Sequence, residues 1–80
     1  MFYAAVIVCW QGSCWALTDN ESPHATEAEC IARLDAMRAA VTVAFQHRPG
    51  ARMRAFCAPL EEVRRHIPGA FPGHVAEVTL

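Results

Sequence analysis

Cysteine is the residue type in this chain with the widest chemical repertoire, since it can bridge, ligate a metal or act as a nucleophile. Four occur among 80 residues, Cys9, Cys14, Cys30 and Cys57. Cys9 and Cys14 flank a turn-like Gln11-Gly12 pair, Cys30 falls on the inward side of a helical pattern, and Cys57 lies in a strand-like run. A four-thiolate zinc site needs its ligands to converge tetrahedrally. Cys9-x4-Cys14 has knuckle-like spacing, but Cys30 and Cys57 are far apart and sit in regular elements. No Cys-x-x-Cys is present, which argues against a thioredoxin-like redox centre. Disulfide pairing is the favoured reading, with buried free thiols and zinc as the rivals.

The other reactive residue types form no constellation. His24, His47, His66 and His74 are dispersed over loops and helix ends, none four residues from another, and read as surface or capping side chains. A cysteine nucleophile needs a lowered thiol pKa and a base converging on it, and no such signature is present. Ser13 and Ser22 lack a nucleophile-elbow context. The four glycines do not make a phosphate-binding loop. The sequence singles out no catalytic residue, no metal ligand and no cofactor, so the expectation is a protein that is not an enzyme.

Eighty residues make one small domain, disulfide-stabilised on this reading, with residues 68–80 as a possible extended arm. Ordering such a chain costs about 1.5 kcal/mol per residue, which nearly cancels the gain from burial. Bridges, a metal or assembly with partners make up the difference. Apolar residues are 54% of the chain, more than a small interior can hide, so part of them belongs at an interface. A net charge of −1 gives no general attraction to nucleic acid or anionic lipid. The chain has no lysine, all seven basic residues being arginines between Arg33 and Arg65, and four of the eight acids precede Cys30. The missing lysine fits a GC-rich genome. Ala4–Val8, a strongly apolar run, is too short to span a membrane and lacks the basic flank of a secretory leader. A chain starting at Met1 is then made in the cytoplasm. Its cysteines would oxidise later, as in a phage particle released by lysis.

These residues need elements to hold them. Phe2 to Cys9 is β-branched and apolar and reads as a strand. Gln11-Gly12 is a two-residue turn, and Ser13 to Thr18 returns. Counting across the turn puts Cys9 opposite Cys14. One face carries Val6, Val8, Trp10, Trp15 and Leu17, and the other Tyr3, Ala5, Ile7, Cys9, Cys14 and Ala16. Both faces are apolar, so each needs a cover. Thr26 with Glu29 is a capping box opening a helix over about residues 27–46. Cys30, Leu34, Met37, Val41 and Ala44, joined by Ile31 and Phe45, form its inward side. Arg52 to Cys57 alternates as a third strand with its arginines outward. Pro59 starts a short helix to His66, and Val75 to Leu80 is a short strand or an arm.

This order predicts an α+β fold, β-β-α-β, with a three-stranded antiparallel sheet of order 2-1-3 on one long helix. In that topology Cys9 and Cys14 meet at the top and Cys30 and Cys57 at the bottom. The expected bridges are therefore Cys9–Cys14 and Cys30–Cys57, contributing about 2 and about 3–4 kcal/mol by chain entropy. One helix covers one face. The segment from Leu60 onward, or another chain, covers the second.

Two groups could meet a partner. Phe2, Tyr3, Trp10 and Trp15 are of the aromatic type enriched at interface anchors. Arg52 and Arg54, with Arg48, Arg64, Arg65, His47 and His66, could form a basic stripe, partly paired with Glu61 and Glu62. Such a stripe suits an acidic protein patch better than nucleic acid, since Phe56 alone is placed for base stacking.

The run Ala25-Thr26-Glu27-Ala28-Glu29-Cys30, between a cysteine-bearing hairpin and a later cysteine, resembles a type of small four-cysteine protein. Such proteins occur in tailed bacteriophages and in α-proteobacterial genomes. The resemblance covers roughly residues 1–58 and implies a phage origin, with no functional residue to carry over. The expected role is a structural one in the virion, as an accessory, decoration or minor capsid-associated subunit. Its partners would be other virion proteins or further copies of itself, with no membrane and no nucleic acid. The alternative is a phage-encoded binder that inhibits or redirects a host protein in the cytoplasm, with its thiols reduced.

Overall fold

The computed structural model describes residues 1–78. The elements are β1 (Tyr3–Trp10), β2 (Ser13–Thr18), α1 (Glu27–Ala44), β3 (Arg52–Ala58), α2 (Leu60–His66) and β4 (Val75–Val78). One antiparallel sheet has the order β3-β1-β2-β4. β1 is central because Ala4–Val8 can be buried on both faces, each residue being at most 4% exposed.

Gln11 and Gly12 both take positive φ, 49° and 82°, as the type I′ turn of a tight hairpin requires. The turn sets the register, so Cys9 pairs with Cys14 and Trp10 with Ser13. β3 runs antiparallel on the other side, with Ala4 opposite Cys57 and Cys9 opposite Arg52.

The expected 2-1-3 core is present, but the sheet has four strands and not three. The segment read as a short strand or an arm supplies the fourth, Val75–Val78. Ile67 and Ala70 are buried at 1% and 0% exposure. They pin the turn-rich stretch after α2 against the sheet. Gly73 N–H then donates to the Thr18 carbonyl (3.0 Å), and Thr18 N–H to the His74 carbonyl (2.9 Å). β4 follows in register, Leu17 opposite Val75 and Trp15 opposite Glu77. Residues 79–80 of the proposed strand or arm lie outside the described residues.

α1 starts at Thr26, whose Oγ1 accepts from Glu29 N–H at 3.2 Å, with Glu27 and Glu29 in its first turn. It buries Cys30, Leu34 and Val41, and Met37 and Phe45 are partly buried. Ile31 and Ala44, placed on the inward side by spacing, are exposed. The helix ends at Ala44, so 45–46 belong to the turn that follows. Its core joins Ala4, Val6 and Val8 of β1 and Ala55 and Cys57 of β3.

The second core lies on the opposite sheet face. Ala5, Ile7, Ala16 and Ala58 are covered by Val63 of α2 with Ile67 and Ala70. The C-terminal segment therefore supplies the second cover.

Candidate docking surface

The bridges are Cys9–Cys14 and Cys30–Cys57, and no cysteine is free. Cys9 and Cys14 face each other across the hairpin with Cα atoms 4.1 Å apart, the close, non-hydrogen-bonded kind of cross-strand pair. Cys30 and Cys57 tie the first turn of α1 to the end of β3, Cα atoms 6.2 Å apart. The four sulfurs are thus two separate bridges and not a metal cluster. Among the described residues no three His, Cys, Asp or Glu side chains gather as metal ligands. No described helix is long and apolar enough to cross a membrane.

The aromatic group proposed for partner contact is divided by the fold. Trp10 is turned onto its own chain: its Nε1–H donates to the Pro49 carbonyl at 3.2 Å. The Arg48 guanidinium lies 5.3 Å from the Trp10 ring centre and 4.8 Å from that of Phe45. Trp15 packs on Phe45, centroids 6.1 Å apart. Phe2 packs in the α1 core and Tyr3 in the α2 core. Phe2 also pairs its backbone with His24. These four side chains are half-buried and mainly hold the domain together.

Arg52 and Arg54 are exposed on the α2 side of β3, beyond the reach of α2. With His66, Ile7 and Cys9 they line a shallow cleft of about 150 Å3. The expected pairing of the basic stripe with Glu61 and Glu62 is absent among the described residues, where Arg33 is the arginine that forms ion pairs. α2 points those acids away at its first turn and collects Arg64, Arg65 and His66 in its last. Arg64 donates to the Ala70 carbonyl instead.

The polar connector after β2 holds a centre that sequence reading passed over. The Asp19 side chain is fully buried. Its Oδ1 accepts from Arg33 Nε (2.8 Å) and Glu21 N–H (3.2 Å), and its Oδ2 accepts from His24 Nε2 (2.9 Å). Burial pushes the carboxyl up. The hydrogen bonds from Arg33, His24 and Glu21, together with the Arg33 charge, outweigh it and hold the group below its ordinary range. The same contact raises Arg33, chiefly through the hydrogen bond to Asp19. Arg33 also meets Glu21 at 3.1 Å. The centre fixes the connector and the flank of α1. Its ligand-like geometry is internally satisfied, so it reads as an anchor and not as a reaction centre.

Beside that anchor lies a groove of about 390 Å3. It exists because α1 lies against β1 and β3 and covers the β2–β4 half of the same sheet face only in part, leaving Leu17 half-buried and Val75 exposed. Leu17 and Val75 form the floor, and Ala36, Met37, Ala40 and Val41 the wall. Val75 is 66% exposed, a β-branched strand residue facing solvent over most of its surface. Asp19, Asn20 and Arg33 close one end.

No family model, no curated protein and no solved structure matches this chain.

Proposed function

We propose that this protein is a non-enzymatic accessory subunit that docks on a larger protein assembly. By the resemblance noted in its cysteine pattern, that assembly is a tailed phage particle, with the protein in a decoration or minor capsid-associated role. The observation that carries the reading is the β2–β4 half-face, an apolar groove left open beside α1 while the central strand β1 is buried on each face. A small domain that needs two bridges to hold its fold gains nothing in stability from leaving such a surface to water. Oxidised cysteines fit a particle that meets the medium after lysis.

Purified particles from a producing culture test this by peptide mass spectrometry without reductant. Bridged Cys9–Cys14 and Cys30–Cys57 peptides in the particle fraction are expected. A chain confined to the soluble cell extract with four free thiols would replace this reading by the intracellular binder. That second reading rests on Arg52 and Arg54, which stand exposed without a carboxylate partner among the described residues and would meet an acidic patch on a host protein.

A further inference from the structure

The proposed docking role leaves the occupant of the groove open, and the groove itself narrows the choice. Strands lie about 4.8 Å apart, so β2 and β4 offer a floor about 10 Å wide, the width of one helix. A sheet face is ordinarily covered by helices packed side by side, about 8–10 Å between axes. α1 supplies one such helix, and the open half-face has room for a second.

The charges around the groove give the occupant's chemistry. Glu21 is exposed at the closed end beside Asp19. Glu29, also exposed, stands one turn before Arg33 on the same side of α1. Glu77, two residues beyond Val75 on the same face, lies opposite Trp15 and so toward the far end of the groove, beside Phe45. Against these acids stands Arg33, already held by Asp19 and Glu21. Arg48 lies beyond Phe45 at the far end, stacked on Phe45 and Trp10. The end beside the first turns of α1 is therefore acidic. A helix antiparallel to α1 would bring its C-terminal turns there, where basic residues complement both the acids and the helix dipole.

Resting on the docking role above, we infer that the groove between α1 and β2–β4 receives an amphipathic helix of a partner protein, with an apolar stripe and basic residues toward its C-terminal end. The helix lies on Leu17 and Val75 and against Ala36 and Ala40. Its Lys or Arg side chains reach Glu21 and Glu29.

The probe is a fluorescein-labelled synthetic peptide of about 15 residues, near the shortest length that holds a helix. It carries a leucine stripe and a lysine-rich C-terminal half, and its control has glutamate at every lysine position. Anisotropy at low salt with the oxidised full-length protein should show the basic peptide binding and the acidic one failing. Ala40→Trp fills the groove without changing charge and should weaken binding at least roughly tenfold, a loss of about 1.4 kcal/mol. Ile31→Trp, exposed on the flank of α1 away from the groove, should leave it unchanged. Matching thermal melts show that both variants fold. Equal binding of both peptides, no binding of either, or indifference to Ala40→Trp would overturn the inference. So would a dimer of the free protein that Ala40→Trp dissociates, since the occupant would then be a second copy. The particle assay reads the docking role separately: protein on particles without peptide binding sinks the helix alone, and peptide binding without particles sinks the particle role alone.

Discussion

Arg33 Nε stands 2.8 Å from the fully buried Asp19 carboxylate, joining the connector just after β2 to the side of α1 across fourteen residues of chain. A buried carboxylate is costly unless both its oxygens accept from donors. Here Arg33, His24 and the Glu21 amide supply them. The centre thereby does for the connector what a bridge does elsewhere, by charge and hydrogen bonds.

Asp19→Asn should lower stability by about 1–3 kcal/mol, since a charge-assisted bond is weakened and a donor is placed among donors. The pH dependence has a definite sign. The folded carboxyl lies below its ordinary value of 3.8, so its contribution is complete above that value. It fades as pH falls through the lower folded value. Urea unfolding of both proteins from pH 7 to pH 2 should show the gap between them shrinking below pH 3.8. A gap that stays constant across that range would mean the carboxylate's charge plays no part.

Removing the two bridges should have unequal costs. The Cys30→Ala/Cys57→Ala pair loses a 27-residue closure and about 3–4 kcal/mol, and Cys9→Ala/Cys14→Ala a five-residue closure and about 2 kcal/mol. Denaturant midpoints under oxidising conditions give the order, and added reductant should bring the wild type down to or below either variant. The reverse order would place the larger share of stabilisation in the hairpin.

Val63 is the one residue of α2 that is fully buried, and it seals Ala5, Ile7 and Ala16. Val63→Ala should cost about 2 kcal/mol, toward the lower part of the range for core truncations. Because α2 has seven residues, it cannot persist alone. Amide exchange in residues 60–66 should rise more than in α1. Uniform loss of protection would show that α2 and the sheet open together.

Trp10→Phe keeps the ring but removes the donor to the Pro49 carbonyl and weakens the Arg48 stack. A cost of about 1 kcal/mol is expected, with amides of residues 46–50 exchanging faster. An unchanged loop would mean that Arg48 and Phe45 hold it without Trp10.

The central sheet order and both bridges were legible because cysteine placement, turn type and chain order constrain each other. Cys9 and Cys14 are fixed by a two-residue turn, and Cys30 and Cys57 by the helix start and the strand end. β4 was not legible. Val75–Val78 has no strong pattern, and its pairing depends on Ile67 and Ala70, two small anchors among prolines and glycines. Asp19 was hidden for another reason: its partners lie five and fourteen residues away, one of them on a helix flank that periodicity reads as solvent-facing. The groove was invisible because helical spacing says which side of α1 faces the sheet but not which strands it covers. The contacts of Trp10 with Arg48 and Pro49 were not legible either, because those two residues read as a loop.

The central position of β1 also orders events during synthesis. The strand that ends with neighbours on both edges and a core on each face precedes the elements that cover it. Its β1–β2 hairpin can form locally. The hairpin then has one apolar side open until α1 arrives, and the other until Ile67 and Ala70 fold back. A nascent or truncated chain ending at Ala58 would carry Ala5, Ile7 and Ala16 uncovered, so the last quarter of the sequence acts as the lid that keeps the newborn protein from sticking to its siblings.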